Sequence, residues 1–286
     1  MNIVMTGASG FLGKNIRNYF KDRYNIIYLS TSSGGEYLKV SKNFNDISQK
    51  LSDKKVDCII HLAAVIPQKF CKSDFYNVFL PNAVMMDNLY KFAAEKNIKK
   101  FIYMSSFGSM RDYANYKIRD YYTLSKIHGE HVSSMMEDRG IETASLRISS
   151  PYGPYSNPGS VINIFIKNAL KGSDINVYGT GKREQNFIYV YDVANAVELF
   201  LNSGSKVSGV YSIVSESNVS MLNLAIMVKD ICKSESQINV GKYADGEDDC
   251  KPVYDYERAY KDVGFRPQYD IYKGLQKYIE WYVNNK

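Results

Sequence analysis

At 286 residues with 45% hydrophobic content, the chain can bury a full core in one large or two closely joined domains, which excludes a disordered or fibrous protein. Its 36 basic and 30 acidic residues leave a net charge of +6 spread along the sequence, without the Lys/Arg tract of a nucleic-acid groove or a polybasic membrane anchor. No apolar run is long enough to span a bilayer and no basic segment precedes an apolar stretch, so the expected setting is cytoplasmic, with neither nucleic acid nor membrane as a partner.

The predicted elements begin with a strand over Asn2 to Thr6, a helix from about Phe11 to Arg23, and strands over Asn25 to Ser30 and Val56 to Ala64. This is the βαβ rhythm of a parallel sheet. A helix from about Asn82 to Lys96, a strand over Lys100 to Ser105, a helix from about Tyr121 to Arg139 and a strand over Thr143 to Ser149 extend it into a doubly wound, Rossmann-like α/β fold. After Ser150 a Pro/Gly-rich segment breaks the rhythm. Residues 1–150 are therefore expected to form a dinucleotide-binding domain. Residues 151–286 are expected to form a smaller, interleaved substrate-binding region, with 187–215 returning to the main sheet and a last helix near Ile271 to Val283. Cys58, Cys71, Cys232 and Cys250 form no C-x-x-C pair and are expected to be reduced and mostly buried.

The turn Thr6-Gly7-Ala8-Ser9-Gly10-Phe11-Leu12-Gly13 joins the first strand to the first helix, where free backbone N–H groups and the positive end of the helix dipole can receive a pyrophosphate. Gly7 permits the tight turn, Gly10 lets phosphates approach, and Gly13 lets helix pack on strand. With this spacing and position, the segment resembles the cofactor loop of the NAD-dependent epimerase/dehydratase family, the extended short-chain dehydrogenases. The resemblance runs through further motifs along nearly the whole chain.

An acidic residue about 20 positions beyond the glycines holds the ribose hydroxyls of NAD in such folds. Here the second strand ends Leu29-Ser30-Thr31-Ser32-Ser33, with Lys39 the nearest downstream cation. NADP is the expected cofactor, with NAD the alternative. Expected contacts are Gly7, Ser9, Gly10, Phe11, Leu12, Gly13, Ser30 and Thr31.

Tyr122 and Lys126 stand four apart, on one face of a helix. The spacing occurs five times, at Tyr113, Tyr122, Tyr178, Tyr269 and Tyr282, so context must choose. Only Tyr122 opens a long predicted helix, and it continues into Ser-Lys-x-x-x-Glu130 as the family does. Tyr122 is the expected proton donor, its acidity sustained by Lys126, which also reaches the nicotinamide ribose. Ser106 lies where open α/β sheets bind ligands, and by resemblance it is the catalytic serine orienting the sugar oxygen, with Ser105 its nearest rival.

His61-Leu62-Ala63-Ala64 resembles the family's motif lining the cofactor groove, and Leu146-Arg147-Ile-Ser-Ser150-Pro151 the segment where Ser150 meets the sugar nucleotide and Pro151 flanks the nicotinamide. The stretch from Tyr178 to Asp192 resembles the one carrying a diphosphate-binding arginine. Gln185 occupies the usual position of that arginine, leaving Arg183 or Lys182 as anchor. Tyr152 and Tyr178 are further candidates near the sugar. His128 and His131 lie on the Tyr122 helix without a supporting ligand cluster, so no metal site is expected.

Within the resemblance, Phe107-Gly108 after Ser106 lacks the acid/base pair of 4,6-dehydratases and the cysteine of epimerase-reductases. Carbonyl chemistry at carbon 4 remains. Reduction of a 4-keto-6-deoxy nucleotide sugar is expected first, because the Ser106 to Tyr122 interval resembles that of 4-ketoreductases such as CDP-abequose synthase and no ribose carboxylate is present. A 4-epimerase with retained NAD is the alternative, and a non-catalytic dinucleotide-binding regulator the reading from another class. The resemblance also implies a homodimer through the Asn82 and Tyr122 helices.

Overall fold

The computed structural model describes residues 1–32, 34–67, 74–107, 120–204 and 207–285. Cys71, Gly108, Tyr113 and Lys117 lie outside them. In chain order the strands are β1 (Asn2–Thr6), β2 (Asn25–Ser30), β3 (Tyr37–Lys39), β4 (Cys58–His61), β5 (Lys100–Ser106), β6 (Glu142–Ile148), β7 (Ser150–Tyr152), β8 (Ile175–Val177), β9 (Glu184–Tyr189), β10 (Gly209–Ile213), β11 (Asn218–Ser220) and β12 (Ile238–Val240). The helices are α1 (Phe11–Phe20), α2 (Ile47–Lys50), α3 (Leu80–Lys96), α4 (Tyr121–Glu137), α5 (Val161–Lys171), α6 (Val190–Asn202), α7 (Met221–Ile231), α8 (Glu257–Val263) and α9 (Ile271–Asn284), and a π-helical turn, Phe75–Phe79, leads into α3.

The chain divides into two compact units. The first, residues 1–148, 194–212 and 258–265, holds a seven-stranded sheet of order β10-β6-β5-β4-β1-β2-β3. Its pairings from β3 through β6 are parallel, the doubly wound arrangement predicted from the sequence. Strands covered on both faces read as continuous apolar runs, and Cys58–His61 is buried at every position. The core packs Val4, Leu29, Ile59 and Phe101 of the sheet with Met85, Leu89 and Phe92 of α3. Where α4 lies on β5, a Cβ at Gly129 would overlap the Tyr103 ring, so glycine permits that approach.

The second unit, residues 149–193, 213–257 and 266–286, carries a three-stranded sheet of order β11-β9-β7 and the pair β12-β8, with a core that includes Tyr152, Phe165, Leu224 and Tyr278. β9 belongs to this sheet, so the segment that joins the first unit begins at residue 194 instead of 187, and residues 258–265 join it as well.

Among the element ends that differ from their predicted positions, two have a visible local reason. Helix α1 stops at Phe20 because Lys21 turns out at φ 48°, and the Arg23 guanidinium bonds the freed carbonyls of Tyr19 and Phe20 at 2.8 and 3.2 Å. Strand β4 ends at His61, because the Ala63 N–H leaves the ladder for the Thr6 hydroxyl at 3.2 Å. The described cysteines are free: Cys58 is buried, while Cys232, at the margin of the second unit's core, and Cys250 are only half-buried, less than expected.

Candidate active site

The glycine turn is built to face an anion. Gly7 takes φ +68° and a Cβ there would meet the Ala63 nitrogen at 2.7 Å, while a Cβ at Gly13 would overlap the Gly7 carbonyl and lie 2.6 Å from the Ala8 Cα. A Cβ at Gly10 would meet only the Gly7 oxygen, at 3.2 Å, so protein packing does not demand that glycine and the space beside it suits a ligand. Helices α4, α5, α7 and α9 are each capped by an Asp or Ser side chain. Helix α1 starts at Gly10 with no side-chain cap and no acid in its first turn, leaving N–H groups for Phe11, Leu12 and their neighbours to present to phosphate.

Around the turn, Thr6 Oγ1 hydrogen-bonds His61 Nδ1 at 2.7 Å as well as the Ala63 N–H. Burial, with Lys126 adding to it, lowers the imidazole from its ordinary 6.5 to about 3, so His61 is neutral. These bonds hold Leu62, Ala63 and Ala64 beside the glycines. Asn82 braces the next residues, accepting from the Val65 N–H at 2.7 Å and donating to the Val65 carbonyl and the Ser125 hydroxyl, each at 3.0 Å.

At the end of β2 the Ser30 hydroxyl meets that of Ser9 at 2.9 Å and accepts from the Ser32 N–H at 3.1 Å, with Thr31 immediately beyond. In the parallel register Lys39 stands beside Ser30. Folding brings Arg17 near β2 from α1, its guanidinium 5.1 Å from the Tyr28 ring centroid and paired with Glu36.

At the carboxyl end of β5, Ser106 and Tyr122 share a side-chain hydrogen bond. Lys126, one turn along α4, donates to the Met104 carbonyl at 2.7 Å, with Nζ 5.7 Å from the Tyr122 ring centroid and 5.0 Å from that of Tyr103. Asp120 caps the helix by accepting from the Thr123 N–H at 2.7 Å, which fixes the turn that presents Tyr122. Ser105 is otherwise engaged, donating to Glu130 at 2.5 Å, which separates it from its rival Ser106.

The tyrosine's acidity differs from the expectation. Burial pushes the Tyr122 phenol up to about 12, against the lowering effect of the Ser106 bond, and Lys126 is itself brought down to about 8 by burial, with Glu130 opposing. Burial, with Asp120 adding to it, outweighs the Ser106 bond, leaving a protonated phenol poised to donate.

In the second unit, the Gln185 amide donates to the Ser150 hydroxyl, bringing two predicted substrate residues together, while Pro151 pairs with Ile188 in the β7–β9 register. Arg183, one of the two predicted diphosphate anchors, is clasped by Asp245 at 2.9 Å and Glu247 at 3.3 Å. Tyr152 is buried in that unit's core, bonding the Ile271 carbonyl at 3.4 Å, because its ring fills the space left by Gly274. Tyr178 is half exposed and packs on Tyr243. His128 packs edge-on against Phe79.

Sequence reasoning did not assign roles to Thr6, His61, Asn82 or the Glu130–Arg147 pair. The available signal was a polar residue at a position whose apolar neighbours are core.

Comparison with known proteins bears on the family and the fold. The model of the NAD dependent epimerase/dehydratase family matches residues 3–213. A putative UDP-glucose 4-epimerase of Methanocaldococcus jannaschii is 27% identical over 313 residues, covering 99% of each chain. The dTDP-D-glucose 4,6-dehydratase of Bos taurus is 26% identical, over 99% of this chain and 89% of that protein. The crystal structure of UDP-glucose 4-epimerase from Thermotoga maritima with UDP-glucose shares the fold at a TM-score of 0.87, with 22% identity and 99% of both chains covered. No helix among the described residues is long and apolar enough to cross a membrane.

Proposed function

The chain belongs to the NAD dependent epimerase/dehydratase family, and on that premise we propose that it reduces a 4-keto-6-deoxy sugar carried on a nucleotide, using NADPH. The observation carrying this reading is the Ser106–Tyr122 hydrogen bond with Lys126 one turn away, at the ligand-binding end of β5. The nucleotide fits the residues present: the uncapped α1 terminus and the space at Gly10 suit its pyrophosphate, and Ser30 with Lys39 alongside suits a 2′-phosphate better than the carboxylate-lined strand end that NAD uses. When bound, the reduced nicotinamide supplies hydride.

Ser106 orients the carbonyl oxygen at carbon 4. Tyr122, protonated throughout the neutral range, donates its proton to that oxygen as charge develops there. Lys126, held by the Met104 carbonyl, stabilises the resulting phenolate. Ser150 and Gln185 are the residues assigned to the sugar nucleotide. Water elimination is not part of the reading, since Phe107 replaces the acid such chemistry needs beside Ser106. A homodimer through α3 and α4 belongs to the same reading and is tested by sedimentation.

A second reading, 4-epimerisation on a retained NAD, is favoured by the relatives named as 4-epimerases. The two differ in stoichiometry. The reductase consumes one NADPH per 4-keto sugar and purifies without bound coenzyme. Redox-neutral interconversion of two sugars, with NAD seen in the mass spectrum of the purified protein, would replace it with the epimerase.

A further inference from the structure

Glu130 lies one helical turn beyond Lys126 on α4 and is buried with Arg147 of β6. Its Oε1 accepts from Ser105 Oγ at 2.5 Å and from Arg147 Nε at 2.7 Å, and its Oε2 accepts from Arg147 Nη2 at 2.6 Å. This two-pronged pair is weak as a source of stability, because desolvating both ions offsets most of their attraction. Its geometry points to another task.

Three successive contacts register α4 against β5: Lys126 on the Met104 carbonyl, Gly129 under the Tyr103 ring, and Glu130 on the Ser105 hydroxyl. The last turns Ser105 away and leaves the adjacent Ser106 to meet Tyr122. The groups facing Lys126 are the neutral His61 of β4, the Tyr103 phenol of β5, Tyr122 on its own helix, and Glu130 with Arg147 behind it. Glu130 is the carboxylate whose charge acts on the buried ammonium.

We propose that Glu130, locked by Arg147, is a positioning residue of the active site that holds Lys126 as an ammonium and, through Ser105, fixes the strand end carrying Ser106. The roles of Ser106, Tyr122 and Lys126 in this statement rest on the proposed function. The charge on Lys126 does not, and it is measured without substrate.

The test is a nitrogen-15 NMR titration of the Lys126 side chain in the full-length protein, its signal identified by loss in Lys126→Met. Glu130→Gln lowers the midpoint by about one pH unit or more, whereas Ser105→Ala, which removes a hydroxyl and no charge, leaves it in place. Should the guanidinium stranded by Glu130→Gln prevent folding, pairing that change with Arg147→Met removes both charges and leaves a smaller downward shift, because loss of the cation behind Glu130 offsets part of the loss of the carboxylate. With NADPH and a 4-keto-6-deoxy nucleotide sugar, Glu130→Gln moves the alkaline limb of kcat down by the same amount while KM stays within about twofold. An unmoved midpoint in a folded variant overturns the inference. A moved midpoint in a protein that turns over no sugar upholds it and sinks the proposed function instead.

Discussion

The phenol of Tyr122 is hydrogen-bonded to the hydroxyl of Ser106, joining the first turn of α4 to the end of β5. Because burial pushes this phenol up to about 12 and Lys126 down to about 8, the two groups leave their working states at different pH. As pH rises the lysine is first to change, losing the charge that stabilises phenolate. Turnover therefore declines with a midpoint near 8, and the rate profile of Lys126→Arg, whose guanidinium does not titrate there, lacks that decline. An identical alkaline limb in a folded, active Lys126→Arg enzyme would assign it to another group.

His61 gives a signature in stability instead of rate. Its native imidazole titrates near 3, against 6.5 when unperturbed, so between those values the unfolded chain binds a proton that the native protein excludes. Stability falls as pH drops through that window, with a slope of up to about 1.4 kcal/mol per pH unit. Denaturant melts from pH 7 to pH 4 should show a shallower loss for His61→Gln, which cannot take up that proton; parallel curves would remove His61 from the account.

Gly10 and Gly13 separate binding from folding. A Cβ at Gly13 would overlap the Gly7 carbonyl, so Gly13→Ala costs about 1–3 kcal/mol of stability. Gly10→Ala faces only one contact at 3.2 Å, and it should melt within a few degrees of the parent while losing about tenfold or more in NADPH affinity, about 1.4 kcal/mol. Calorimetry on both variants checks this, and a Gly10→Ala protein binding NADPH normally would move the phosphate site elsewhere.

Much of this was legible beforehand where chemistry and local periodicity coincide. The glycine turn, Tyr122–Lys126 and the strands up to β6 other than the short, unpredicted β3 combine a short motif with an unambiguous element on each side. Less legible were groups joined across large sequence separations: Thr6 with His61, Asn82 with Val65, Glu130 with Arg147, and Arg17 with Glu36. Nothing local marks such partners, because the bond is made by the sheet order and not by the flanking residues. Arg183 illustrates the same limit from the other side, since its carboxylate clasp comes from residues more than 60 positions away.

That clasp yields a further prediction. With Asp245 and Glu247 already balancing its charge, Arg183→Gln should cost about 1 kcal/mol or less of stability and leave nucleotide-sugar affinity within about threefold. Equilibrium binding of a uridine or thymidine diphosphate sugar tests it. A loss of tenfold or more would make Arg183 a phosphate anchor.

The most direct measurement is hydride transfer followed by mass. With NADPH deuterated at the transferable position and a 4-keto-6-deoxy nucleotide sugar, the protein should yield a product one mass unit heavier, labelled at carbon 4. Tyr122→Phe, with unchanged folding, should lose about a hundredfold or more of that rate. Label transfer at full rate by Tyr122→Phe, or no transfer by the parent protein with any such sugar, would contradict the account.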